Sequence, residues 1–192
     1  MAQISIGGFL AVVISRHLGP EAKGYSTLLT IGPSIIAWLV ALGITPSTMY
    51  FASRSHDVSQ LLSGSFVLAF VLGAAGMILG WFALIPGLAD PAARLALVLG
   101  LVLIVVQLIR EFHGAALLGL HQVALYARTA LVGRVLGSAV TLAAIYLAPV
   151  SLFYLSVPIS FAIANVYIIL VVHRVTRWRW SWSTALLREQ IR

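Results

Sequence analysis

The sequence predicts an all-α membrane protein built as a bundle of six transmembrane helices. Hydrophobic residues make up 61% of the 192 residues and charged residues only 9%, whereas soluble domains average about 25% charged residues. The apolar residues form continuous blocks, not the half-apolar stripes of a water-soluble helix. With a mean hydropathy of +1.05, the chain has too few polar residues to cover a soluble domain of this size.

Charged residues and clusters of Pro and Gly divide the chain into six apolar segments. A helix needs roughly 20 residues to cross a hydrocarbon core of about 30 Å. Five segments are therefore long enough to span a bilayer, and the first is short by a turn or two. The segments cover residues 2–15, 25–51, 61–85, 92–118, 123–148 and 151–172.

The breaks between the segments are short, which predicts that each helix runs antiparallel to the one before it. Six crossings then place both termini on one side of the membrane. We expect residues 1–173 to form the transmembrane lobe and residues 174–192 to form a cytoplasmic juxtamembrane segment. This tail interleaves three tryptophans with arginines, as at a membrane interface, and continues from Ser183 as a short amphipathic helix.

The basic residues predict which side of the membrane the termini occupy. Cytoplasmic loops carry an excess of Lys and Arg, and the net charge of the chain is +7. More basic residues lie on the side of the termini, namely Arg54, Arg110, Arg128, Arg134, Arg174, Arg177, Arg179, Arg188 and Arg192, than on the other side, namely Arg16, Lys23 and Arg94. We therefore expect a multi-pass protein of the cytoplasmic membrane with both termini in the cytoplasm.

The fourth segment carries a polar stripe on one face of an otherwise apolar helix. Gln107, Arg110, Glu111 and Gly114 recur with the i, i+3, i+4, i+7 spacing of a helix face, and His113 lies beside them. A charge inside a span costs at least about 2.5–3.5 kcal/mol on insertion scales, so it normally faces a cavity or a partner. One interpretation is a cationic cavity that accepts an anionic group, in which Glu111 orients an arginine or takes a proton.

A second intramembrane cation, Arg134, lies in the fifth segment beside Gly137 and Ser138. Arg110 and Arg134 are roughly 12 and 16 Å from the same membrane face, so they can meet. Two other interpretations are open. In the first, Glu111 forms a purely structural ion pair with Arg134 or Arg128. In the second, the fourth span ends near Ile109 and residues 110–128 form a cytoplasmic loop.

Small residues and prolines predict how the helices pack. Gly76 with Gly80, and Gly133 with Gly137, form GxxxG pairs that favour close helix packing. Proline removes an N–H group and clashes with the preceding turn, which bends a helix. Three prolines lie within the spans, namely Pro33, Pro46 and Pro158.

No combination of residues predicts catalysis. The chain has no cysteine, which excludes thiolate metal sites, disulfides and a cysteine nucleophile. The five histidines are scattered at loop edges, and the two aspartates, Asp57 and Asp90, fall in different loops. We predict that the protein is not an enzyme and that it has no metal site and no cofactor. A basic membrane protein attracts anionic lipids, so nucleic acid is not an expected partner.

Two motifs near the N-terminus resemble those of a known transporter family. Residues 12–25 read VVISRHLGPEAKGY, and residues 41–52 read ALGITPSTMYFA. This pair is similar to the start of polysaccharide and oligosaccharide flippases of the MOP exporter superfamily, in which an R-x-L-G-P-E-x-x-G loop joins the first two helices. Residues 114–121, GAALLGLH, resemble the end of the fourth helix of that family.

The resemblance implies one lobe of a two-lobed carrier that moves lipid-linked sugars across the cytoplasmic membrane by alternating access. It covers the first lobe only, so a second lobe or a homo- or heterodimer partner is expected. In related carriers basic residues near the first two helices contact the substrate diphosphate, and their counterparts here are Arg16 and Arg54. Together with Arg110, Glu111 and Arg134 they form the predicted substrate-binding set.

Six spans in a chain of this length also suit proteins of other classes. One alternative is a small-molecule uptake subunit or a multidrug antiporter-like protein, and another is a membrane scaffold that transports nothing. A neighbouring ATPase module would favour uptake, whereas a second six-span segment or neighbouring glycosyltransferases would favour the flippase.

Overall fold

The computed structural model describes residues 2–41, 43–54, 58–147 and 149–176. Within these ranges the chain forms six α-helices and a short 3-10 turn, and it contains no strand. The helices are α1 (Ala2–Ala41), α2 (Ile44–Arg54), α3 (Val58–Leu84), α4 (Pro91–Gly119), α5 (Val123–Leu147) and α6 (Val150–Thr176), and the 3-10 turn is Ile85–Gly87.

All of these helices except α2 are long and apolar enough to cross a membrane. Large apolar side chains also cover the outside of the bundle, with Trp38, Val71 and Phe82 each more than half exposed. A surface of this kind is stable against lipid and not against water. The structure therefore confirms the predicted all-α membrane fold, and the chain is a multi-pass membrane protein.

The first two predicted segments are joined without the predicted loop at residues 16–24. Helix α1 continues through this region, and Gly19 alone has a non-helical conformation, with φ of +86° and ψ of 173°. A positive φ is accessible to glycine because it has no Cβ, and Pro20 then restarts the helix with its fixed φ. The turn between the two helical parts of α1 is therefore reduced to one residue.

The predicted segment 25–51 is broken between α1 and α2. Helix α1 ends at Ala41, and α2 begins at Ile44 after Gly43, whose φ is +83°. Glycine in the left-handed region is a common end of a helix. Pro46 lies in the first turn of α2, where its missing N–H is not needed. The predicted continuous span is thus two helices, and Pro46 begins the second instead of bending a single one.

Helix α4 occupies the centre of the bundle. It is the most buried of the spans and contacts α1, α2, α3 and α6. Its N-terminus is capped by Asp90, whose carboxylate accepts a hydrogen bond of 2.8 Å from the N–H of Ala92. Gly76 and Gly80 of α3 lie against α4 and α1 so closely that a Cβ would contact Ile36 at both positions.

Helices α5 and α6 pack through their small residues. A Cβ at Gly133 would lie 2.8 Å from the carbonyl oxygen of Ala164, and a Cβ at Gly137 would lie 2.8 Å from that of Ser160. The glycines of one helix therefore face small residues of the other at the same four-residue spacing. This contact confirms the close packing that the GxxxG pattern predicts.

Aromatic contacts mark one end of the bundle. The rings of His17 and Tyr146 are 5.1 Å apart, and those of Tyr25 and Tyr154 are 5.5 Å apart. The turn at Gly19 therefore lies beside the connection between α5 and α6. The predicted tryptophan belt and amphipathic tail, residues 177–192, lie outside the described residues.

Candidate functional site

The polar stripe of α4 lies within one continuous helix. Helix α4 runs to Gly119, and α5 begins at Val123. The interpretation of residues 110–128 as a loop is therefore wrong. Arg110 is nine residues from the C-terminal end of α4, or about 13 Å along the helix axis.

The charged members of the stripe neutralise each other. Nη1 of Arg110 donates a hydrogen bond of 2.8 Å to Oε1 of Glu111, and the two side chains are 24% and 25% exposed. Neither Arg128 nor Arg134 is paired with Glu111 among the described residues. The predicted pair of Glu111 with Arg134 or Arg128 is therefore not the one that forms. The cation that pairs with Glu111 is its neighbour on the same helix, and this ion pair does not join two helices.

The polar residue one turn before this pair, Gln107, is buried and incompletely bonded. It is 3% exposed, and its Oε1 atom has no hydrogen-bond partner within the described part of the chain. A buried acceptor without a donor costs about 1–3 kcal/mol. The sequence placed Gln107 in the stripe, but only the folded structure shows that its oxygen is left unbonded.

His113 is 1% exposed and lies on α4 close to the stripe. Its Nδ1 atom is 2.7 Å from the carbonyl oxygen of Ile109. A carbonyl oxygen only accepts hydrogen bonds, so Nδ1 carries the proton in this contact. The contact ties the imidazole ring to the preceding turn of its own helix.

The break between α1 and α2 lies beside the part of α4 that carries the stripe. A Cβ at Gly76 would be 3.3 Å from Ile104 of α4 and 3.6 Å from Val40 of α1, and a Cβ at Gly119 of α4 would be 2.4 Å from the carbonyl oxygen of Met49 in α2. Val40, near the end of α1, and Ile104 of α4 therefore both lie beside Gly76, and Met49 of α2 lies against Gly119.

Gln107 lies on α4 between two glycines that face different helices. A Cβ at Gly100, seven residues before it, would be 3.3 Å from Pro33 of α1, and a Cβ at Gly114, seven residues after it, would be 2.8 Å from the ring of Tyr126 in α5. In the sequence, Gly43 is followed three residues later by Pro46, which is a common pattern at a helix end. The apolar run around these two residues nevertheless predicts a single span.

Arg134 lies near the middle of α5, 11 residues after Val123 and 13 before Leu147. Its side chain is exposed and makes no hydrogen bond or ion pair with any described residue. Arg110 is half-buried and paired with Glu111. The two arginines have similar predicted depths in the membrane, but their environments differ. The neighbouring Gly133 and Gly137 bind α5 to α6, which leaves the side with Arg134 uncovered.

The two arginines implied by the family resemblance lie at opposite ends of the bundle. Arg16 is exposed near the Gly19 turn, without a hydrogen-bond partner in the described ranges. Arg54 ends α2, where its guanidinium lies 4.4 Å from the ring centroid of Tyr50 and donates a hydrogen bond to the hydroxyl of that tyrosine. A single phosphate group therefore cannot contact both residues in this conformation.

Comparisons with known proteins give no relative for this chain. No family model, curated protein or solved structure matches it. Its membrane-spanning helices are compatible with a membrane transporter.

Proposed function

We propose that this chain is one lobe of a membrane transporter that moves lipid-linked oligosaccharide or polysaccharide precursors across the cytoplasmic membrane. The second lobe is supplied by further chain, a second copy or another protein. Both termini lie in the cytoplasm. The motif resemblance at residues 12–25 and 41–52 supports the class of substrate, and the multi-pass fold supports transport.

The observation that carries the proposal is the environment of Arg134. A helix of 25 residues is about 37 Å long, so Arg134 lies near the middle of a bilayer with a core of about 30 Å. Long cationic side chains reach the headgroups only from near the ends of a helix. An exposed arginine at this depth therefore requires water, an anion or a second protein surface beside α5.

A cleft between two lobes meets this requirement. Its water would solvate Arg134, and the guanidinium group would replace part of the hydration shell of a substrate diphosphate. Arginine suits that task because its planar fork binds phosphate oxygens in a bidentate manner. The lipid tail of the substrate can remain in the bilayer while the charged head passes through the cleft.

The absence of cysteine from the chain allows a direct test. Arg134→Cys and Val71→Cys each introduce a single thiol near the middle of a span, since Val71 lies halfway along α3 and is 62% exposed. We expect a membrane-impermeant charged thiol reagent to label the cysteine at 134 at least about tenfold faster, because thiolates form in water and not in lipid.

The same variants then test the function itself. Proteoliposomes are made with the protein as purified from its native membrane, and flipping of a fluorescent polyprenyl diphosphate sugar is measured. We expect Arg134→Cys to abolish flipping and Val71→Cys to preserve it. Equal labelling rates of the two thiols would contradict the cleft beside α5. Unchanged flipping by Arg134→Cys would contradict a role of Arg134 in transport.

A further inference from the structure

We propose that the end of the bundle at Gly119 binds the headgroup of an anionic phospholipid. Three side chains with N–H donors form this headgroup site, namely Arg54 of α2, His121 in the turn between α4 and α5, and Arg174 of α6. The site lies at the surface of the membrane, away from the cleft beside Arg134, and it does not depend on the proposed transport function.

The three side chains of the headgroup site project from one packed layer of the bundle. Ala52 of α2 and Val172 of α6 belong to one cluster of buried side chains, and each is at most 2% exposed. A Cβ at Gly119 of α4 would lie 2.7 Å from the Cβ of Ala52. Each residue of the site follows one of these three packed residues by two positions, and all three side chains are exposed.

The headgroup site lies at the level of the lipid headgroups. Helix α4 has 29 residues and is about 43 Å long. This length exceeds a hydrocarbon core of about 30 Å and matches the whole bilayer, which is about 40–45 Å thick. The end of α4 at Gly119 therefore reaches the membrane surface. Tyr50 of α2 is 50% exposed at this end, and tyrosine is enriched at membrane interfaces.

The headgroup site is positively charged and lacks a carboxylate partner in the described ranges. The described residues include three acidic side chains. Glu111 is paired with Arg110, and Asp90 caps the opposite end of α4. Glu21 lies two residues after the turn at Gly19, which is also at the opposite end. A basic surface of this kind attracts anionic lipids.

Arg54 is held in a position that leaves one edge of its guanidinium group for phosphate. The guanidinium lies 4.4 Å from the ring centroid of Tyr50, and Nη1 donates a hydrogen bond to the hydroxyl of that tyrosine. The N–H groups of Nε and Nη2 donate to no described residue. The planar fork of arginine binds two phosphate oxygens at once, so this edge can hold a phosphodiester.

His121 and Arg174 supply further donors at the same end. The backbone of His121 is left-handed, with φ of +58°, and an imidazole ring carries at least one N–H in each protonation state. Arg174 lies in the last turn of α6, where the helix dipole favours a cation. A zwitterionic headgroup carries an ammonium group that these arginines repel. The site therefore favours an anionic headgroup.

The experiment measures thermal unfolding of the full chain in a mild detergent. Phosphatidylglycerol, phosphatidylcholine with the same acyl chains, and sodium phosphate are titrated separately at constant ionic strength. We expect only phosphatidylglycerol to raise the unfolding temperature, by about 3–10 °C at 10 to 100 times its dissociation constant. Equal shifts with the two lipids would mean that the acyl chains alone bind. A shift with sodium phosphate equal to that with phosphatidylglycerol would mean that the site takes free phosphate. Either result would overturn the proposal.

Arg54→Gln and Arg174→Gln each remove one positive charge and keep a polar side chain. An arginine near the membrane surface strengthens binding to anionic lipid by about fivefold. We therefore expect the dissociation constant for phosphatidylglycerol to rise about fivefold in each variant and about 25-fold in the double variant. Arg54→Lys keeps the charge but not the fork, so it should weaken binding less than Arg54→Gln. An unchanged dissociation constant in the double variant would also overturn the proposal.

Lys23→Gln is the matched control. Lys23 is exposed near the turn at Gly19, at the opposite end of the bundle, and its substitution removes the same charge. The dissociation constant for phosphatidylglycerol should stay as in the parent. A rise as large as that in Arg54→Gln would show that the lipid responds to net charge and not to the headgroup site. Failure of these tests leaves the proposed transport function unaffected, because they involve neither flipping nor Arg134.

Discussion

Arg110 and Arg134 show how strongly the environment of one residue type can differ within a membrane bundle. Arg110 lies half-buried on α4 and is neutralised by Glu111. Arg134 lies near the middle of α5 and is exposed without a partner among the described residues. Arg110 is followed directly by Glu111, whereas Arg134 lies among Leu, Val and Gly. The pairing of Arg110 is therefore local, and the exposure of each arginine depends on which helices cover it.

Two glycines of α1, Gly19 and Gly24, differ in backbone conformation, and substitution by alanine tests this difference. Gly19 has a φ of +86°, whereas Gly24 lies within the second part of α1, and a Cβ at either position would have no neighbour within 4 Å. We expect Gly19→Ala to destabilise the chain by about 1 kcal/mol or more through backbone strain alone.

Gly24→Ala is the matched substitution. It should leave the stability unchanged or increase it by about 0.5–1 kcal/mol, because alanine favours a helix interior. Thermal unfolding in detergent measures both variants. Equal stability of the two would mean that residue 19 is helical in the membrane.

At the scale of elements, the glycines hold α5 against α6. In lipid there is no hydrophobic force that drives two helices together, so association depends on close packing of small residues. Gly133 and Gly137 face Ala164 and Ser160 across this contact. The pattern alone indicated close packing, but it did not indicate which helix the glycines face.

Gly137→Ala tests this contact. The added Cβ would lie 2.8 Å from the carbonyl oxygen of Ser160, so the helices must separate. We expect a loss of about 1–3 kcal/mol, as for other overpacked contacts. Gly87→Ala is the control, since a Cβ there meets nothing within 4 Å. The unfolding temperatures of the two variants are compared, and equal values would contradict the α5–α6 contact.

At the scale of the whole molecule, the two arginines implied by the family resemblance lie at opposite ends of the bundle. Arg54 lies at the end where α2 contacts Gly119, and Arg16 lies at the end marked by the contact of His17 with Tyr146. The excess of basic residues near the first of these ends predicts that it is cytoplasmic.

Reporter fusions test the orientation. Fusions after Arg54, Arg94, Gln122 and Arg192 should lie inside, outside, inside and inside. Helix α3 carries the chain from the inside to the outside, α4 returns it to the inside, and α5 and α6 together leave it on the inside. Alkaline phosphatase and green fluorescent protein activities distinguish the sides. The opposite pattern would mean that the protein has the reverse orientation in the membrane. A fusion after Arg94 that reports the inside would contradict the number of spans.

The membrane class and the approximate limits of most helices follow from the sequence alone. Hydropathy is a local property, and a run of apolar residues is stable in lipid only as a helix. For this reason α3, α4, α5 and α6 begin and end within a few residues of the predicted segments. The turns at 120–122 and at Pro149 were likewise predictable from their composition.

Only the tertiary structure decided the environments of the polar groups within the spans. The burial of Gln107 with an unbonded oxygen and the exposure of Arg134 depend on which helices cover each residue. An apolar run of residues gives no local signal for such contacts, because lipid and a neighbouring helix are equally apolar surroundings. Packing therefore determines which polar groups are paired, buried or left facing a cleft.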